Sequence, residues 1–313
     1  MYPRGLLLLF VLLLSACGTD SRTTAEREQG SSWPPAETSA EPEQYGVLVD
    51  SPVEGLRYIS GDHFGVTDAA GGFGYIEGEV VQFLVGDIKL GAAVEPGDRL
   101  TPYDLAQGAP KVALNIARFL QTLDDDGVGS NGIQIIESVH AHAVARVLDF
   151  TGEDWDATGA AVQQFVTELT LKTAAGAREL VSAVSAYAHF ATTLDAVIVS
   201  QTDEIKRLAG EMSCQTSDDC EVVGLVTMDL GYCPGFGPDI AVTSGGLSDE
   251  AIQGAINQRE ALIEIKRQVR STSGVDDNVH GVCFQQGVPP WGRCDESRRC
   301  TVEYGVAVAG TPR

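Results

Sequence analysis

The side chains with the clearest potential for chemistry lie in an acidic loop near the middle of the chain. Asp124, Asp126 and Asn131 offer oxygen ligands, and glycines among them allow tight curvature. Hard cations such as calcium prefer several oxygen ligands of this kind. The EF-hand pattern fails, because Val128 and Ile135 occupy the fifth and twelfth positions counted from Asp124. We therefore weigh two interpretations, a candidate calcium site and a solvated Asp/Gly loop between helices.

Two histidines, His140 and His142, form an H-x-H pair of the kind that metallohydrolases use. In a strand both rings would point to one face. The neighbouring residues favour a helix, in which the two rings point about 200° apart. His189 is isolated in the sequence, and we expect it to serve in helix packing. The chain has no G-x-S-x-G elbow and no phosphate-binding glycine loop, so nucleophilic catalysis has no motif to support it.

Six of the seven cysteines fall in the final third of the chain, namely Cys214, Cys220, Cys233, Cys283, Cys294 and Cys300. An even number confined to one region of an exported protein predicts three disulfides. Zinc is the competing interpretation, but no C-x-x-C pair occurs and the spacings differ from those of zinc knuckles. The sequence alone does not choose among the possible pairings.

The seventh cysteine, Cys17, follows a short apolar run at residues 6–14. This run is far shorter than the roughly 20 residues of a transmembrane helix and is typical of a secretory signal. Its end, Leu14-Ser15-Ala16-Cys17, resembles the lipobox of bacterial lipoproteins. The resemblance implies removal of residues 1–16, acylation of Cys17 and a membrane anchor of several acyl chains. Plain secretion is the alternative. In enterobacterial lipoproteins a residue such as Gly18 after the cysteine favours the outer membrane, which we expect here.

Charge limits the classes of partner. The chain has 44 acidic residues against 21 Lys and Arg, a formal net charge of −23 at pH 7. The acidic residues are spread along the chain, which is typical of a solvated surface. Such a surface repels nucleic acid and anionic lipid, so nucleic acid is excluded as a partner. Contact with a membrane is therefore expected through the lipid anchor.

Residue composition and the spacing of apolar residues divide the predicted mature protein into four parts. Residues 17–44 are polar and rich in Ser, Thr, Glu and Pro, which predicts a flexible tether. Residues 45–100 hold short β-like runs cut by glycine, which predicts a small β-sandwich. The predicted strands are 46–49, 53–60, 73–76, 79–85 and 87–90.

Residues 101–210 change to helical periodicity, and residues 211–313 form the predicted disulfide-rich α+β domain. In the helical part we expect a short helix after Thr101, a helix carrying Val112 to Leu123, and helices near 134–148, 157–172 and 176–209. In the last part we expect a strand at 222–228, a helix from its cap at Ser248 to about Val269, and a strand at 300–304. Trp291 lies in a Pro-Pro loop between cysteines, where it either inserts into a partner or packs on the small core.

Several stretches resemble a group of uncharacterised bacterial lipoproteins. The matching stretches are Asp50-Ser51-Pro52-Val53-Glu54-Gly55-Leu56-x-Tyr58, Thr67-Asp68-x-x-Gly71-x-Phe73-x-Tyr75, Asn115-Ile116-Ala117-Arg118-x-Leu120-Gln121-Thr122-Leu123-Asp124-x-Asp126-Gly127 and Ala186-Tyr187-Ala188-His189-Phe190. The first two also resemble a module of adhesin-like proteins. The second is similar to a turn of carboxypeptidase-regulatory-like sandwiches, which are non-catalytic accessory domains. The resemblance implies an architecture and no particular activity.

Taken together, these features predict a multidomain α+β protein with a small β-sandwich, a helical middle region and a disulfide-stapled α+β C-terminal domain. We expect a lipid-anchored cell-envelope protein, facing the periplasm or the exterior, with a non-enzymatic binding or structural role. Its partner would be an envelope or extracellular protein or glycan. The alternative is an exported hydrolase with a site between the helical and Cys-rich regions, identified by a deep pocket with convergent histidines or buried carboxylates.

Overall fold

The computed structural model describes Trp33, residues 39–152, Trp155, and residues 159–210, 212–225, 239–275 and 288–305. These described residues belong to one compact unit. Cys17, Cys233 and Cys283 lie outside the described residues, as do the predicted signal segment and most of the predicted tether. The predicted fold class is confirmed, because small sheets, a helical middle and disulfide-linked C-terminal hairpins follow one another along the chain.

Among the described residues, eight short strands precede the first helix. They are β1 (Gln44–Leu48), β2 (Val53–Glu54), β3 (Arg57–Ser60), β4 (His63–Val66), β5 (Gly72–Tyr75), β6 (Val81–Val85), β7 (Ile88–Lys89) and β8 (Arg99–Leu100). One sheet has the order β4-β3-β6-β7, and the other has the order β5-β1-β8 with β1 and β8 parallel. The sheets pack through aromatic rings, with Phe73 and Phe83 edge to face at 5.1 Å. Strand β4 was not predicted; it forms a tight hairpin with β3 around Gly61 and Asp62.

The helical middle contains α1 (Pro102–Leu105), α2 (Pro110–Leu123), α3 (Glu137–His142), α4 (Ala160–Thr170) and α5 (Ala183–Gly210), with a short strand β9 (Ile133–Gln134) before α3. The predicted helix at 134–148 is wrong at both ends. Ile133 and Gln134 pair in parallel with Val53 and Glu54 of β2, and the helix ends at His142. The predicted helix at 176–209 begins only at Ala183.

Helix α5 is long and apolar enough to cross a membrane by length and composition alone. Its apolar stripe is instead used for packing, since Leu194 and Ile198 are fully buried in the main core. That core also contains the aromatic rings of the sandwich and the inner face of α2, including Ile116 and Phe119. The sandwich and the helices therefore share one apolar interior.

The C-terminal part contains β10 (Cys220–Gly224), β11 (Asp239–Thr243), α6 (Glu250–Ser273), β12 (Val288–Cys294) and β13 (Cys300–Gly305). Strands β10 and β11 form one antiparallel pair, and β12 and β13 form another. Strand β12 replaces the predicted Pro-Pro loop. The prolines fit because the register shifts between Val288 and Trp291, where a ladder hydrogen bond is dispensable.

Helix α6 begins one residue later than predicted. Asp249 is the N-cap and accepts hydrogen bonds from the backbone N–H groups of Ala251 and Ile252. The predicted cap, Ser248, instead ends a preceding turn and donates its hydroxyl to the Gly245 carbonyl at 2.6 Å. A carboxylate also interacts favourably with the helix dipole, which makes aspartate the stronger cap.

Candidate functional site

Three of the motifs quoted above converge where the sandwich meets the helices. Asp50 and Ser51 form the turn between β1 and β2, Gln121 lies near the end of α2, and His189 lies in the second turn of α5. We call these four residues the polar junction. Ser51 and His189 touch across 138 residues of sequence, so only the folded chain brings the motifs together.

Asp50 is the buried acid of the polar junction. Its side chain is fully buried, and both carboxylate oxygens accept hydrogen bonds from Nε2 of Gln121, at 3.3 and 3.2 Å. Burial raises the pKa of Asp50 to about 8, and the Gln121 bond lowers it only in part. At neutral pH this carboxyl therefore holds its proton, since an uncompensated buried charge is costly.

Ser51 and His189 form a hydrogen-bonded pair beside it. The Ser51 Oγ lies 2.8 Å from Nε2 of His189, and the Asp50 backbone also bonds the imidazole. Ser51 has a φ of 67°, in the left-handed region, because it occupies the tight turn closed by the Val49–Pro52 bridge. Burial lowers the pKa of His189, so the ring is neutral at pH 7. A hydroxyl beside a neutral imidazole is the arrangement from which serine nucleophiles are activated.

The predicted calcium residues line one acidic pocket next to the polar junction. The pocket encloses about 160 Å³ and is lined by Asp124, Asp126 and Asn131 together with Glu54 of β2. The Asp124 Oδ1 accepts the backbone N–H of Gln134 at 2.9 Å. The Asp126 Oδ2 accepts Nδ2 of Asn131 at 2.8 Å, which lowers the pKa of Asp126. The structure therefore brings all three predicted ligands together and adds Glu54, which sequence reasoning missed.

The two histidines of the H-x-H pair do not converge. His140 is buried, accepts the Gly86 backbone N–H at Nδ1 (2.9 Å) and contacts the Gly55 carbonyl through Nε2 (2.8 Å). Desolvation lowers the pKa of His140 to about 4, so the ring is neutral and structural. His142 is exposed and contacts the Ser138 carbonyl of its own helix at 2.9 Å. The pair therefore offers no shared metal site.

Four of the six clustered cysteines form two disulfides, Cys214–Cys294 and Cys220–Cys300. Their Cα–Cα distances of 5.8 and 5.5 Å are ordinary for disulfides. The sulfurs of Cys214, Cys220 and Cys300 lie within 4.8 Å of one another, but each belongs to a disulfide and is not a free thiolate ligand. These bonds indicate an extracytoplasmic protein, because they persist in oxidising compartments.

Two exposed aromatic residues mark further surfaces. Tyr45 is 70% exposed and lines a groove of about 430 Å³ on the sandwich, with Tyr58 and Phe73 at its base and Asp68 and Asp98 among its lining residues. Trp291 on β12 is 45% exposed and so does not bury itself in the small core. Sequence reasoning missed the Tyr45 groove, because a single tyrosine at the start of a strand gives no signal that a groove surrounds it.

Evidence for the function of this chain comes from its own residues. No protein-family model, no curated protein and no solved structure matches the chain at a significant level. The resemblance to bacterial lipoproteins therefore stays a prediction, supported by the quoted motifs. The convergence of Asp50, Gln121 and His189 gives those motifs a shared location in the fold.

Proposed function

We propose that the protein is a lipid-anchored cell-envelope protein, acylated at Cys17, whose folded part has a non-enzymatic binding role. The lipobox-like Leu14-Ser15-Ala16-Cys17 supports the anchor. The disulfides Cys214–Cys294 and Cys220–Cys300 support a location outside the cytoplasm. Gly18 favours the outer membrane, with the folded part facing the periplasm or the exterior.

The Tyr45 groove is the observation that carries the binding role. Tyr45 presents a largely exposed ring at the rim, while Tyr58 is buried below it. The groove is backed by a rigid sheet, since Tyr45 pairs with Gly74 across β1 and β5. Binding sites typically combine apolar and aromatic walls with a few polar groups that orient the ligand. Asp68 and Asp98 supply those polar groups.

The chemistry of the groove favours a neutral, hydroxyl-bearing ligand, such as an envelope or extracellular glycan. Carboxylates only accept hydrogen bonds when ionised, and sugar hydroxyls donate them. The acidic surface of the chain, with a net charge of −23, disfavours anionic ligands. An exposed tyrosine ring provides a large apolar face that loses little conformational freedom on binding.

Sedimentation with insoluble envelope polysaccharide tests the groove. We expect Tyr45→Ala to lower the bound fraction about tenfold, since truncating a central aromatic residue commonly costs more than 1 kcal/mol. Trp291→Ala is the matched control, because Trp291 is an exposed aromatic residue on a different element. Unchanged binding by the Tyr45 variant would remove the groove from the proposal. Loss only in the Trp291 variant would move the polysaccharide-binding surface to β12.

The anchor has its own test. Mass spectrometry of the protein from envelope membranes should show an N-terminal acylated Cys17, and Cys17→Ser should release the protein from the membrane. A mature chain that starts at another residue, or carries no acyl group, would instead support plain secretion.

An exported hydrolase is the second candidate function, favoured by the contact of Ser51 with His189 at 2.8 Å. This pair lies between the sandwich and α5, whereas the sequence placed a hydrolase site between the helical and Cys-rich regions. A fluorophosphonate probe would label Ser51 if the pair activates it as a nucleophile. Labelling that disappears in both Ser51→Ala and His189→Gln would favour the hydrolase, and absence of labelling supports the binding role.

A further inference from the structure

We infer that the acidic pocket formed by Asp124, Asp126, Asn131 and Glu54 binds calcium. Acidic clusters are common on protein surfaces and by themselves do not make a site. Here a second observation points to a ligand. Asp124 is 2% exposed, and its Oδ2 is buried without a hydrogen-bond partner among the described residues. Asp124 lines the pocket, so this orphaned oxygen is placed to bind a cation in it.

A buried oxygen of this kind is costly without a partner. An unpaired buried polar group destabilises a fold, and an unpaired buried charge destabilises it more. The Asp126 carboxylate lies within interaction distance of Asp124. A divalent cation between two neighbouring carboxylates would relieve their mutual repulsion and would supply the partner that the Asp124 Oδ2 lacks.

The ligands come from separate elements that are already held in place. Asp124 follows the last residue of α2, and Asp126 and Asn131 are joined by their own hydrogen bond in the following loop. Glu54 lies in β2, where the parallel register sets it beside Gln134 and its Oε2 accepts Nε2 of Gln134 at 3.2 Å. Preorganised ligands lose little entropy when a cation binds.

Arg178 supplies the nearest positive charge but does not line the pocket. Its guanidinium donates to the Asp124 backbone carbonyl and, at 3.3 Å, to the Thr173 hydroxyl. Arg178 therefore holds the backbone of the loop from outside, while the Asp124 carboxylate faces the pocket.

The donor set favours calcium over other metals. The four named ligands present carboxylate and amide oxygens, and the pocket's lining residues include no cysteine or histidine. Zinc and copper prefer nitrogen and sulfur, whereas calcium takes six to eight oxygens in flexible geometry. About 160 Å³ leaves room for the ion and for waters that complete its shell. Magnesium demands stricter octahedral geometry, which an irregular loop satisfies poorly.

Calcium here would tie the sandwich to the helical part, because Glu54 belongs to the first and Asp124 to the second. We expect a dissociation constant in the range of about 0.1–1 mM, as in extracellular calcium modules. Binding only to the folded state raises the melting temperature, and the stabilisation grows with the logarithm of the calcium concentration once that concentration exceeds the dissociation constant.

Isothermal titration and thermal melting of the full mature chain test this site, with CaCl2 and MgCl2 as the added salts. We expect heat with calcium, a melting temperature several degrees higher at 5 mM calcium than in EDTA, and a smaller effect of magnesium. Asp124→Asn should weaken calcium binding at least tenfold. Because the amide removes a buried charge, the same variant should melt no lower than the native chain in EDTA.

Asp125→Asn is the matched control. Asp125 is the neighbouring acid but does not line the pocket, and its Oδ1 accepts the Ala174 backbone N–H at 2.8 Å. We expect its calcium response to be native. Absence of any calcium heat or melting shift in the native chain would overturn the site. Equal loss in the Asp125 and Asp124 variants would also overturn it, because binding would then reflect general surface acidity.

Discussion

The sandwich with its helices and the C-terminal hairpins are held together in different ways. The first region has one continuous apolar core, built around fully buried residues such as Phe83, Phe119 and Leu194. In the hairpins, one cluster of buried apolar residues consists only of Cys214, Ala241 and Cys300 among the described residues. Among the described residues, the buried clusters to which the hairpins contribute are smaller than the main core, and the two disulfides add a covalent constraint to that packing.

Helix α6 connects these two regions. Leu262 and Val269, toward its C-terminal end, belong to the main core. Ile252 and Ala255, near its start, belong to a smaller cluster with Ile240 and Val242 of β11. The helix therefore packs against both parts of the chain that the sequence analysis separates at residue 210. We expect it to stay folded even when the hairpins are loosened.

The largest effect is expected in the main core. Phe83→Ala removes a fully buried ring that packs against Phe73 and Tyr58, which should cost about 3–5 kcal/mol in the free energy of unfolding. Urea unfolding followed by circular dichroism measures the change. Val147→Ala is the control, because Val147 is 93% exposed, and it should change stability by less than about 0.5 kcal/mol. A loss below about 1 kcal/mol for Phe83→Ala would contradict a shared core.

Removing one disulfide should act more locally. The double variant Cys220→Ala with Cys300→Ala should destabilise by about 2–5 kcal/mol. Hydrogen exchange should then speed up in β10 and β13 and remain slow in β3 and β6. Equal loss of protection in the sandwich would show that the disulfides support the whole fold, and the contrast between the regions would fail.

Asp50 gives the main core a pH dependence. Its pKa of about 8 in the folded chain exceeds its ordinary value of 3.8, so the folded state retains a proton that the unfolded state loses. The contribution of this retained proton to the free energy of unfolding is fully present below pH 4 and is lost as the pH rises toward 8. Asp50→Asn should remove this loss of stability between pH 4 and pH 8, and it should stabilise the protein at pH 8 by on the order of 2 kcal/mol. Melting curves at several pH values would measure the change.

His140 provides the internal check on that experiment. Its pKa of about 4 lies below the ordinary value of 6.5. The contribution of the neutral ring to the free energy of unfolding is therefore present above pH 6.5 and is lost as the pH falls toward 4. The two groups thus act in opposite directions. Asp50→Asn should therefore leave unchanged the loss of stability that His140 causes as the pH falls. If this variant lost the pH dependence on both sides, the substitution would have changed the core in general.

The smallest effect is expected at the start of α6. Asp249→Ala removes a side chain that caps two backbone N–H groups and should cost about 1 kcal/mol. Ser248→Ala should cost less than about 0.5 kcal/mol, since Ser248 bonds only the preceding turn. Urea unfolding compares the two variants, and a larger loss for Ser248 would restore the cap that the sequence suggested.

The spacing of apolar residues predicted those strands and helices whose formation depends on neighbouring residues in the sequence. The alternation of Val81, Phe83 and Val85 indicated β6, and the apolar spacing from Val112 to Leu123 indicated α2. Strand β12 was missed, because two prolines usually break a strand and only its pairing with β13 makes them tolerable.

The candidate site was predictable only in part. Asp124, Asp126 and Asn131 lie close in sequence, so their oxygens could be grouped from spacing alone. Glu54 joins them through the parallel pairing of β2 with β9, a contact between distant segments that spacing does not encode. The contact of Ser51 with His189 depends in the same way on how the sandwich packs against α5.

The two disulfides interleave along the chain, since each spans 80 residues and the second begins before the first closes. Both final partners, Cys294 and Cys300, are synthesised and exported last, so an incompletely translocated chain can form neither bond. Once both have formed, a single proteolytic cut anywhere between Cys220 and Cys294 leaves the two fragments covalently joined. The disulfide-bonded protein thereby gains resistance to loss of its C-terminal part, a property of connectivity that no single contact provides.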